Sequence, residues 1–114
     1  MPLLDTTLDI GMNAIAAACS HVGLASADPG STGLNATSHA RVAAGWSTAA
    51  NGDIVLTNKA FTGGAASGPV LYATYWSAIT GGVYRGSQLL TGDTSSNAAG
   101  QYTINSLALN SAAT

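Results

Sequence analysis

The sequence predicts a mainly β domain: an antiparallel sandwich or jelly roll of about six short strands behind one N-terminal helix. Three observations carry this. Apolar residues recur at helical spacing near the N-terminus, as Leu8, Met12, Ile15, Ala16 and Cys19. From His21 onward the period changes to two, in short runs separated by Gly, Asn, Pro and Asp. No strand–helix alternation follows, which excludes a parallel nucleotide-binding sheet.

Taken in order, a helical segment 1–20 comes first. Thr6 or Thr7 is placed to cap it, and Asp9 lies in the first turn, where the helix dipole favours an acid. Gly11 weakens it locally, and Ser20 and His21 end it. A β-domain 21–109 and a tail 110–114 complete a single domain, 1–114. Val22 and Leu24 share one face of the first strand. Residues 41–47 (RVAAGWS) and 53–57 (DIVLT) read as a hairpin around Asn51-Gly52, a dipeptide in which both residues tolerate positive φ. Pro69 opens the strongest strand, VLYATYWSAI, which turns at Gly81-Gly82 and returns as VYRGSQLL. Residues 101–109 (QYTINSLAL) form the last strand.

Charge is scarce. Only 7% of residues are charged, against about 25% in ordinary soluble domains. The cations are Arg41, Lys59 and Arg85; the acids are Asp5, Asp9, Asp28, Asp53 and Asp93. With no basic stripe, neither nucleic acid nor an anionic membrane is an expected partner. No run is long enough to span a bilayer, and MPLLDTTLDIGM lacks the cationic start of a secretory signal. Cys19 is the sole cysteine, so no internal disulfide forms; among alanines it reads as a buried, inert thiol.

No constellation in the sequence carries recognisable catalysis. ADPGSTG, residues 27–33, lacks the lysine and the following helix of a phosphate loop, and Asp28 alone makes no calcium loop. Geometry explains it instead: Asp28 bonds the backbone two residues on, Pro29 presets φ, and Gly30 and Gly33 allow reversal. His21, His39 and Cys19 do not make a zinc set. No GxSxG elbow is present. Asp28, Asp53 and Asp93 each sit beside a turn residue, where Asp is expected for backbone reasons. The expectation is therefore no catalytic, cofactor or metal residue. The aromatics remain: Trp46, Tyr72, Tyr75 and Trp76 are candidates for an interface or a ligand platform, with Tyr72 and Trp76 on one strand face and Tyr75 on the other.

The run NAIAAACSHVGLASADPGSTGLNATSHARVAAGW resembles small virion proteins of tailed phages, especially those of actinobacterial hosts. Those proteins show an Ala-rich helix, a pattern like H-I-x-L-x-x-A-D-P-G-T-T-G-x-N-E, then Y-A-R and a Trp or Phe. His21, Val22, Leu24, Ala27, Asp28, Pro29, Gly30, Thr32, Gly33, Asn35, Ala40, Arg41 and Trp46 match that order. VLYATYWSAITGGVYRGSQLL resembles the family's strand, turn and return. The chain departs at Ala25-Ser26, where His-Thr is common, and at Ala36, where an acid is common.

The resemblance implies a non-enzymatic bacteriophage virion structural protein without cofactors. Capsid decoration is the leading expectation, and a minor tail or tail-fibre component with a receptor- or glycan-binding module is the alternative. A fibre or tape-measure protein is expected to be much longer. Expected partners are other copies of the chain, with a trimer implied by the resemblance, and the major capsid protein or tail proteins.

Overall fold

The computed structural model describes residues 4–110. One helix, α1 (Asp5–Ala18), precedes six strands: β1 (His21–Ala25), β2 (Val42–Ala43), β3 (Asp53–Phe61), β4 (Tyr72–Trp76), β5 (Tyr84–Leu89) and β6 (Tyr102–Asn110). They form two antiparallel sheets, one ordered β2-β1-β4-β5 and one pairing β3 with β6. The fold is the mainly β, sandwich-like domain that the periodicity predicts. Tail residues 111–114 lie outside the described residues, while Asn110, assigned to that tail from sequence, ends β6.

Alternation places the core. Val22 and Leu24 of β1 and Ala73 and Tyr75 of β4 meet Leu56 and Phe61 of β3 and Tyr102, Ile104 and Leu107 of β6 in one buried cluster. Strict alternation fails within β3. Ile54 and Leu56 are buried, but the next buried residue is Phe61 rather than an even-numbered one. Asn58 explains the switch: its φ of 52° is left-handed and reverses the side-chain alternation between Leu56 and Phe61. Asn tolerates that conformation better than most residues.

The helix differs from its sequence reading. Leu4, not Thr6 or Thr7, occupies the N-cap and makes no side-chain cap bond. Thr6 and Thr7 lie inside the first turn, where the Leu4 carbonyl accepts from the Thr7 and Leu8 amides. Met12 is buried, Leu8 and Ala16 are half-buried and Ile15 is exposed. Two side chains tie the helix to the loop before β3. Asp9 Oδ1 accepts the Gly52 N–H at 2.7 Å, and Asn13 Oδ1 accepts the Ala49 N–H at 2.9 Å.

The hairpin expected over 41–57 is largely replaced. Its tip forms: Asn51 and Gly52 have φ of 53° and 77°, and Ala50 and Asp53 exchange both backbone bonds. Ser47 also donates its amide to Val55. Upstream the chain leaves. Gly45, at φ 58°, breaks the extended run, the Ala44 amide donates to Ser20, and Val42–Ala43 pairs with β1. The partner of β3 is β6 instead. The β4–β5 hairpin does form, with an irregular register at Tyr75/Trp76 and positive φ at Gly81 and Gly82.

Candidate functional site

The outer face of the four-stranded sheet carries a stack built on Trp76. Gly23 in β1 pairs with Thr74 in β4. A Cβ at Gly23 would fall 2.9 Å from Thr74 Oγ1 and 3.2 Å from Arg41 Cγ, so the missing side chain is what lets the Arg41 stem lie across the strand. The guanidinium carbon then sits 3.6 Å from the centre of the Trp76 ring, a cation–π contact. Arg41 Nη1 donates to the carbonyls of Ala78 at 3.0 Å and Gly81 at 2.8 Å, fastening the β4–β5 turn. The Trp76 indole N–H donates to Thr74 Oγ1.

The loop containing ADPGSTG closes over the other end of this indole. Asp28 Oδ1 accepts the Gly30 amide at 2.9 Å, the turn chemistry anticipated from sequence. Pro29 is buried, and its carbonyl accepts from Gly33 and Leu34. Asn35 Nδ2 donates to the Asp28 carbonyl, and the Tyr84 hydroxyl donates to the Gly30 carbonyl. Gly33, at φ 79°, lies so close to Trp76 that a Cβ there would fall 2.7 Å from Cη2. Tyr84 packs beside the same ring, with centroids 5.2 Å apart. The loop thus holds Trp76 from one side and Arg41 holds it from the other.

The four aromatic candidates do not form one platform. Tyr75 is buried in the core, and burial raises its hydroxyl pKa. That hydroxyl donates to Gln88 Oε1 at 2.9 Å. Trp46 packs on Tyr75, centroids 5.7 Å apart, and its indole donates to the Cys19 carbonyl. Tyr72 and Trp76 are half-buried on the opposite face from Tyr75. Of these, Trp76 lies in the stack described, and Tyr72 lies opposite Ala25 and Leu89. Gly82 is a turn constraint of its own, since a Cβ there would meet Ser77 Oγ at 2.6 Å.

A second polar centre surrounds His39, which the sequence reading set aside as a zinc ligand without placing its partners. The imidazole is buried, with Thr37 Oγ1 2.8 Å from Nδ1 and Ser96 Oγ 3.1 Å from Nε2. Phe61 meets it edge-on, and Gly64 lies flush against the ring, leaving no room for a Cβ. The Gly64 amide donates to Gly100. Burial lowers the His39 pKa, which favours the neutral ring. Serine and histidine adjoin here as they do in nucleophilic enzymes, but the third group is the Thr37 hydroxyl, not a carboxylate that would stabilise an imidazolium. Ser96 is itself buried.

Cys19 is buried, and burial raises its thiol pKa, which suppresses the reactive thiolate. Among the described residues, no three His, Cys, Asp or Glu side chains converge on one point. No described helix is long and apolar enough to cross a membrane. A mid-strand glycine, Gly23, and a chain with so few cations were the available signals for the Arg41 stack; nothing local pointed to His39. Compared with known protein families, curated proteins and solved structures, the chain matches none.

Proposed function

We propose that this chain is a non-enzymatic structural protein of a bacteriophage particle, acting on the capsid surface as a decoration protein that packs against other copies of itself and the shell. The observation that carries the assembly role is β6. Its nine residues, YTINSLALN, contain no charge and no proline. One side pairs with β3, and no strand among the described residues pairs with the other. An exposed, uncharged edge of that length is a template for another chain unless a partner covers it. β5 also ends its sheet, with Arg85 as its one charged residue.

Exposed apolar side chains agree with this: Ile10 on α1, Ile79 and Val83 in the β4–β5 turn and Leu89 on β5. The virion assignment rests on the resemblance over residues 13–46 and 70–90, whose matching positions include the loop and Arg41. The stack also weighs against a Trp76 sugar platform, because the ring is occupied by Arg41 and Gly33.

The test is light scattering over a dilution series at low and high salt, with purified empty capsids added in a parallel series. The expected result is a discrete homo-oligomer or a capsid complex that salt weakens little, because ionic contacts are scarce. A monomer at high concentration that does not bind capsids removes the proposal.

A further inference from the structure

We infer that the cleft beside the Arg41–Trp76 stack is a binding site for a carboxylate carried on a small apolar group. The cleft has a volume of about 320 Å³, and its lining includes the polar side chains of Arg41, Thr74, Trp76 and His39 and the apolar ones of Ala36 and Ile79.

The guanidinium carries the inference. Both bonds that Arg41 makes to protein leave from Nη1, to the Ala78 and Gly81 carbonyls. Among the described residues, no acid pairs with Arg41, and Nε and Nη2 donate to no acceptor. Neither is a buried orphan, since no buried side-chain nitrogen or oxygen among the described residues lacks a partner; both are therefore open to solvent, on a residue that lines the cleft. Nε and Nη2 form one edge of the planar fork, the edge that receives both oxygens of a carboxylate. The Trp76 contact and the two carbonyls hold that fork in place before any ligand arrives, which lowers the ordering cost of binding.

The rest of the cleft narrows the ligand class. Arg41 is the one charged residue on its wall, so a monovalent anion is matched and a phosphate dianion is not. Thr74 Oγ1 accepts from Trp76 and has no acceptor for its own proton among the described residues, which leaves a second donor on a residue of the cleft lining. Ala36 and Ile79, both exposed, can cover a short hydrocarbon, so affinity should grow with the chain attached to the carboxylate. A free organic acid and a carboxylate from a second copy of this chain present the same chemistry.

The experiment is a nitrogen-15 NMR titration of the full chain, following Arg41 Nε–H and the Trp76 indole N–H. Acetate, butyrate and inorganic phosphate are the probes, and Arg85 Nε–H is the internal control, being an exposed arginine elsewhere in the chain. The expected result is saturable shifts at Arg41 and Trp76, tighter for butyrate than for acetate and absent for phosphate, with Arg85 unmoved. Where a second copy supplies the carboxylate, the same signals move on concentrating the protein, and butyrate reverses the movement. Arg41→Lys keeps the charge but loses the fork, and should weaken butyrate roughly tenfold or more; its melting temperature reports whether the fold survives. Shifts that never saturate, that appear equally at Arg85, or that follow phosphate as well as butyrate overturn the inference.

Discussion

Gly33 and Trp76 touch so closely that the loop residue has no space for a side chain: a Cβ at Gly33 would stand 2.7 Å from Cη2 of the indole and 3.1 Å from Cδ1 of Tyr84. The ADPGSTG turn is therefore a clamp on the outer face of the sheet as well as a reversal of the chain.

That contact separates two glycines of one loop. Gly30 and Gly33 both have positive φ, but a Cβ at Gly30 meets nothing. Gly30→Ala should lose only the left-handed penalty, about 1–2 kcal/mol. Gly33→Ala adds a clash with Trp76 and should lose about 1–3 kcal/mol more. Urea unfolding of both variants checks this; equal losses would mean that the loop does not press on Trp76.

The aromatic pair on β4 should divide in the same way. Tyr75→Ala opens the core under Trp46 and should cost about 3–5 kcal/mol, as core aromatics do. Tyr72→Ala removes a half-buried ring and should cost well under half as much. Thermal melts of the two variants rank them; a larger loss at Tyr72 would contradict the placement of the core.

Much of this arrangement was legible where the chemistry is local. The Asp28–Gly30 bond spans two residues, and the Asn51-Gly52 and Gly81-Gly82 turns follow from backbone freedom alone. Strand alternation located Val22, Leu24 and the Tyr72/Tyr75 division. What failed depended on distant partners. The 41–47 run looked like half of a hairpin because its own alternation is good, yet β1 captures Val42–Ala43 and Gly45 turns the chain away. Asn58 gave no warning that it would reverse the pleat of β3. The Arg41–Trp76 stack and the His39 centre each join segments far apart in sequence, so neither leaves a periodic trace.

His39 gives the fold an acid limit. Burial holds its pKa below the ordinary 6.5, with the backbone at Gly100 opposing the shift in part. As pH falls, the unfolded chain takes up the proton first, so the stability this group contributes is complete above about 6.5 and is lost as pH drops from there through the folded value. His39→Gln should flatten that part of the profile. The alkaline limit runs in the opposite sense. Burial raises Cys19 above 9.0 and Tyr75 and Tyr102 above 10.0, so their contribution is complete below 9 and is lost as pH rises past these values toward the folded ones. Melting temperature against pH measures both limits; a profile that stays level from pH 7 to pH 5 would show that His39 is not held neutral.

Electron cryomicroscopy of the assembled phage particle tests the proposed role most directly. The predicted result is density for this sandwich in many copies on the outer face of the capsid, with the free edge of β6 against a neighbouring chain. Purified particles with no such density on the capsid, whether the chain is absent or lies only in the tail, would contradict it.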